Sequence, residues 1–229
     1  MKITEKWLKN MTKDSIMPYQ AIEFNAYFKK HNLFDLDSSE VAKNLIKNDE
    51  IEIAYWFIAH SLNKVEKLNL AILIGEKVLP IYEKMYQKET LPGEIITLMK
   101  KYRRYLSKNN NIINLNLYDE NYSKLLEEYD EYLPEIINTA YDNSEKNKDF
   151  EKAKDALITI EAIDGLFGRD NIKEETVDHS KVNDGQHIEA ALLISNRCVK
   201  KSDFDEIFKF GVDLIEKNEK SKELNSKSR

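Results

Sequence analysis

Ile51-Glu52-Ile53-Ala54-Tyr55-Trp56-Phe57-Ile58-Ala59-His60-Ser61-Leu62 is the most hydrophobic stretch of the chain. Ile51, Ala54, Tyr55, Ile58 and Leu62 fall on one face at helical spacing, and Ile53, Trp56 and Phe57 fill a second face. A helix that is apolar on most sides has to be surrounded by other elements, so this segment reads as a central helix of an all-α protein. The stretch that follows, about Val65 to Tyr86, repeats the pattern. Leu68, Ala71, Ile72, Gly75 and Leu79 form one stripe, and Leu70, Leu73, Ile74, Val78 and Ile81 another.

Further periodic segments extend outward from this pair. A short first helix contains Trp7 to Met11, and Pro18 opens a second that reaches about His31. Asp37-Ser38-Ser39-Glu40 has the spacing of a capping box and starts a third. Leu91-Pro92 precedes Ile95, Leu98, Met99, Tyr102 and Leu106 at helical steps. Helices are also expected over about Tyr118–Tyr141, Phe150–Phe167, Gln186–Val199 and Asp203–Glu216. Pro80 and Pro134 fall inside two of these patterns and are expected to kink or split them, because proline lacks the N–H and its ring clashes with the carbonyl four residues back. Asn171 to Gly185 reads as a long polar loop, and the Lys/Ser/Asn-rich tail after Lys217 as frayed. The expectation is an all-α, array-like bundle of eight to ten helices in a single domain over 1–229. Its best internal division lies near 108–116, at Lys108-Asn109-Asn110-Asn111, and fraying is expected from about 218.

Composition agrees. Of 229 residues, 41% are hydrophobic and 33% charged, which supports a buried core under a heavily charged surface. Six glycines and four prolines are too few for the many turns of a β-sandwich or barrel. The formal net charge is −6, a poor match to a phosphate backbone, so nucleic acid is not the expected partner. Acidity suits solubility or attraction to a basic protein. Cys198 is the single cysteine, so no disulfide can form within the chain, and among apolar helix residues it reads as a small buried hydrophobe. Met1 to Trp7 lacks the apolar run of a signal peptide, and no apolar stretch approaches the roughly 18 residues of a spanning helix. A cytoplasmic location and no membrane association are therefore expected.

Few residues offer chemistry. Asp178, His179, Asp184, His187 and Glu189 gather acids and two histidines, but their spacing fits no zinc motif. With Gly185 as the turn glycine, Ser180 and Val182 would occupy calcium-ligand positions, which excludes a calcium loop. His60 reads as a structural histidine of an apolar helix, and Glu161 and Asp164 as a carboxylate pair of the kind common on helices. Lys100, Arg103, Arg104 and Lys108 can line one basic face, read as the solvated side of an amphipathic helix. No phosphate-cradling glycine loop and no nucleophile elbow occur, so no catalytic residue, cofactor or metal site is expected. The remaining feature is acidic and aromatic. Tyr118, Tyr122, Glu127, Glu128, Tyr129, Asp130 and Tyr132 interleave acids with tyrosines, a mixture suited to a basic protein partner, since aromatics anchor and acids steer.

One stretch carries a resemblance. Ala59-His60-Ser61-Leu62-Asn63-Lys64-Val65-Glu66-Lys67-Leu68, then Leu70-Ala71-Ile72, then Val78-Leu79-Pro80-Ile81-Tyr82-Glu83-Lys84 is similar to the all-helical immunity proteins of bacterial polymorphic-toxin systems. The likeness covers about residues 59–105, a fifth of the chain. Members of that group often show an L-P-I-[WYF]-E segment followed by an R-P-R-like turn. Here the turn is Leu91-Pro92-Gly93, so no role tied to those arginines carries over. The resemblance implies a bacterial protein that binds a cognate toxin, often a basic nuclease domain, and blocks it without catalysis. A helical scaffold or adaptor for another partner is the alternative, and an enzyme or phosphate-ligand protein with a cleft among the helices is a third.

Overall fold

The computed structural model describes residues 2–13, 18–109, 120–167 and 184–227; within these, the side chains of 12–21, 105–123, 125–130, 167, 222–223 and 225–227 are left aside. The described residues form ten α-helices and no strand, so the all-α expectation of eight to ten helices holds. The one β-type pairing among them is an isolated antiparallel bridge, Lys2 to Asp37. None of the described helices is long and apolar enough to cross a membrane. The chain divides into two compact units, Met1–Leu62 with Lys209–Arg229, and Asn63–Phe208. The division expected near 108–116 falls largely on residues outside the described ones.

The first unit holds α1 (Glu5–Lys13), α2 (Pro18–Lys30), α3 (Ser38–Lys47), α4 (Ile51–Ser61) and the larger part of α10 (Lys201–Lys227). Its core is built on α4, where Ala54 through Ala59 are all buried. Trp56 meets Phe24 at 4.9 Å and Trp7 edge-on at 6.2 Å, while Phe57 meets Trp7 at 5.6 Å and Phe28 at 6.1 Å. These tilted and edge-on pairs are the geometry that the ring quadrupoles favour, and each adds about 0.5–1.5 kcal/mol beyond the area buried. The turns are set by residues that tolerate a left-handed backbone: Asn32 (φ 52°), Asp35 (φ 64°) and Asp49 (φ 61°). Asp37 donates its backbone N–H to the Glu40 carboxylate at 3.2 Å, as the capping spacing requires.

In the same unit, Glu219 of α10 lies against the start of α3. Its carboxylate accepts from the Ser38 backbone N–H at 2.7 Å and from the Ser39 hydroxyl at 2.6 Å. A carboxylate there accepts from the first turn of the helix and complements the positive end of the helix dipole. One turn earlier on α10, Glu216 pairs with Lys43. Helix α10 continues to Lys227, past the point at which the composition predicts fraying.

The second unit holds α5 (Lys64–Met85), α6 (Leu91–Asn109), α7 (Glu120–Ser144), α8 (Lys148–Asp164), a single 3₁₀ turn (Gly165–Phe167), α9 (Asp184–Cys198) and the first turns of α10. Helix α8 is its hub, packing on α5, α7 and α9. Ala153, Ala156, Leu157, Thr159, Ile160 and Ile163 of α8 are buried. Both expected stripes of α5 contribute: Leu68, Ala71 and Gly75 are buried with Leu70, Ile74 and Val78. Gly75 permits a close approach, since a Cβ there would collide with Ile96 Cδ1 of α6 and touch Ile163 Cδ1 of α8 at 3.5 Å. Asn63 caps α5 by accepting from Glu66 N–H at 3.1 Å, and Glu66 answers by accepting from Asn63 N–H at 2.8 Å. Asn147 caps α8 in the same way, accepting from the N–H groups of Asp149 and Phe150 at 2.9 and 3.2 Å.

Of the expected kink or split at each proline, the split does not occur. Neither Pro80 nor Pro134 divides its helix; α5 and α7 each run unbroken through the proline. Both prolines are exposed, so a carbonyl deprived of its partner on that side can turn to water, and burial of Tyr82 and Leu133 beside them holds the helices in place.

Candidate partner-binding site

Among the described residues the feature most like a binding site lies in the second unit, where the C-terminal end of α5 and the turn after it face the middle of α7. A groove of about 670 Å³ opens there, lined by Tyr82, Met85, Tyr86, Gln87, Lys88, Glu89, Tyr132, Glu135, Ile136 and Thr139. Helical geometry explains the membership. Tyr82, Met85 and Tyr86 stand at i, i+3 and i+4 on α5, and Tyr132, Glu135, Ile136 and Thr139 at i, i+3, i+4 and i+7 on α7. Each set is one face of its helix.

The wall is aromatic. Tyr82 and Tyr86 stack with ring centroids 5.0 Å apart and planes 20° apart, and Phe150 of α8 supports Tyr86 edge-on at 6.0 Å. The Tyr86 hydroxyl accepts from the Asn143 side-chain amide at 3.2 Å, which fixes the ring. Tyr132 is 47% exposed, a large apolar surface turned to solvent on the opposite side of the groove. Tyr82 is fully buried, and its hydroxyl has no hydrogen-bond partner among the described residues. Burial raises the Tyr82 phenol above its ordinary pKa, and the negative charge of Glu89 raises it further. Glu89 and Glu135 form no ion pair among the described residues, and Lys88 is the single cationic side chain in the lining.

Of the residues singled out in the sequence, Tyr132 belongs to this groove. Tyr118 lies outside the described residues, as do the side chains of Tyr122, Glu127, Glu128, Tyr129 and Asp130, although the backbone of the last five is part of α7. Sequence reading missed Tyr82, Met85, Tyr86 and Glu89. The signal available was the matching i, i+3, i+4 spacing of Tyr82-Met85-Tyr86 and Tyr132-Glu135-Ile136, and it is weak, because such stripes mark ordinary packing faces as well.

The other candidates separate in space or in use. Lys100 pairs with Glu76 at 2.7 Å and Arg103 with Asn69, so two members of the basic strip hold α6 against α5. The side chain of Lys108 lies outside the described residues. His60 is half-buried rather than enclosed, with its ring 5.1 Å from that of Trp56, because it sits at the last turn of α4. Asp164 is buried and Glu161 partly so. His187 of α9 packs on Gly165, where a Cβ would strike the imidazole. Asp178 and His179 lie outside the described residues, and no group of three or more His, Cys, Asp or Glu among the described ones is arranged to hold a metal ion. Cys198 is buried as expected; burial first and the Asp155 charge second push its thiol up to about 12. Burial lowers Lys67 below its ordinary value, an effect that Asp184 partly offsets.

The first unit has a groove of its own, about 680 Å³, lined by α1 and α2. Lys6, Lys9 and Lys29 rim it, with Glu5 paired to Lys29 at 3.1 Å. Its charge is opposite in sign to that of the α5–α7 groove.

Compared with known proteins, the chain matches no family model, no curated protein and no solved structure.

Proposed function

We propose that this chain is a non-catalytic inhibitor, a bacterial immunity protein that binds a cognate toxin carrying a basic surface, and that α7 and the groove beside it form the contact. The observation that carries the reading is the groove itself. Three tyrosines and two carboxylates free of ion pairs among the described residues line a concave surface, and its α7 side belongs to a helix whose sequence is acidic and rich in tyrosine. Exposed tyrosine supplies contact area at low entropic cost, and carboxylates steer a basic partner into place. The resemblance of residues 59–105 to immunity proteins and the net charge of −6 support the same reading.

Inhibition of this kind needs an interface of about 1,200–2,000 Å² in total with a few desolvated anchors, and no reacting group. The test is genetic and biochemical together. The product of the gene adjacent to this one is expressed with and without the chain, and growth and co-purification are measured. The expected result is growth arrest relieved by the chain and a stoichiometric complex. An adjacent gene product that the chain neither binds nor neutralises overturns the reading.

A further inference from the structure

We infer that the groove lined by Tyr82, Tyr86, Tyr132, Glu89 and Glu135 is a receptor for a single arginine side chain presented by the protein partner. This deepens the proposed function and rests on it for the basic character of that partner.

Four observations converge on a guanidinium. The lining is rich in tyrosine, and a planar cation is attracted to an aromatic face by the ring quadrupole. Glu89 and Glu135 stand on the two sides of the groove, one after α5 and one on α7, and neither is neutralised by an ion pair among the described residues. Carboxylates so placed accept the paired N–H donors of a guanidinium, which ammonium cannot offer in a planar fork. Tyr82 lines the groove and its buried hydroxyl oxygen has no partner among the described residues, so a guanidinium N–H that reached it would satisfy it. Met85 and Ile136 give the apolar lining against which an arginine stem packs. Lys88 contributes a single opposing charge, which leaves the lining net negative.

The volume fits one side chain and its immediate backbone rather than a folded element. That places this arginine as an anchor within a larger contact, the role that buried arginines take at interfaces.

The experiment uses the full chain with methyl-labelled methionine. Met85 is assigned through Met85→Leu, and the remaining methionine methyls report whether the fold is intact. The probe is acetyl-Gly-Arg-Gly-amide, with the citrulline analogue as the neutral isostere and the lysine analogue as the non-planar cation. The expected result is a saturable shift of the Met85 methyl with the arginine peptide and a response about ten-fold weaker with citrulline, the factor that corresponds to about 1.4 kcal/mol. Glu135→Gln and Tyr82→Phe each weaken arginine binding several-fold while the other methyls stay in place. Equal responses to arginine and citrulline, a lysine peptide that binds as tightly as arginine, or an unmoved Met85 overturns the inference. The two proposals fail separately. An adjacent gene product that binds equally well to the wild type and to Glu135→Gln removes the arginine receptor and leaves the inhibitor reading standing. An arginine peptide that seats in the groove of a chain with no toxin partner does the reverse.

Discussion

Gly75 and Cys198 show how single atoms decide what the second unit tolerates. At Gly75 the helix backbone of α5 comes so close to α6 that one added methyl meets Ile96 Cδ1. Ile96 is itself buried, so it has little room to swing away. Gly75→Ala gains helix propensity but overpacks the core, and the second effect should win, with a net loss of about 1–3 kcal/mol. Chemical denaturation checks this; an unchanged or raised midpoint would show that Ile96 yields freely. Cys198 is a question of reactivity. With the thiol pushed up to about 12, only about one molecule in ten thousand carries the thiolate at pH 8 in the folded state. Ellman's reagent should therefore react slowly with the native protein and promptly once it is unfolded, and prompt stoichiometric labelling of the native form would refute the burial argument.

Helices are the scale at which the sequence is most legible. Periodicity locates the described helices to within a few residues, apart from the C-terminal end of α10, because an amphipathic or all-apolar stripe is a local property of the chain. The failures are equally instructive. Pro80 and Pro134 read as points that kink or split their helices; neither helix is split, since whether a proline ends a helix depends on which side faces solvent and on what its neighbours bury. The contact of Glu219 on α10 with Ser38 and Ser39 at the start of α3 joins residues distant in sequence and leaves no local signal. That contact makes a prediction at this scale. Glu219→Ala removes the carboxylate that accepts from Ser38 and Ser39 and should cost about 1–2 kcal/mol, with Glu219→Gln intermediate because the amide still accepts but carries no charge. Equal stability of the three proteins in a denaturant titration would show that water replaces the carboxylate at no cost.

At the scale of the whole molecule, the distribution of charge and aromatic surface bears on function. Tyr132 was visible in the sequence as part of an acidic, tyrosine-rich run, and it does line a groove. Tyr82 and Tyr86 were not, because in the sequence they continue the packing stripe of α5, and only the placement of α7 turns them into a wall. A site assembled from two helices distant in sequence has no local signature. The two grooves carry opposite charge, basic along α1–α2 and acidic along α5–α7, so the proposal that a basic partner meets α7 rests on the α5–α7 groove.

The most direct test of that claim is the rate at which the chain associates with the adjacent gene product, measured by stopped flow across a range of ionic strength. Wild type is compared with the triple reversal Glu127→Lys, Glu128→Lys, Asp130→Lys. Steering by an acidic face predicts association at least about ten-fold slower in the reversed protein at low salt, with a much flatter salt dependence and a smaller change in dissociation. Association kinetics and salt dependence that are the same for both proteins would contradict the assignment of α7 as the contact surface.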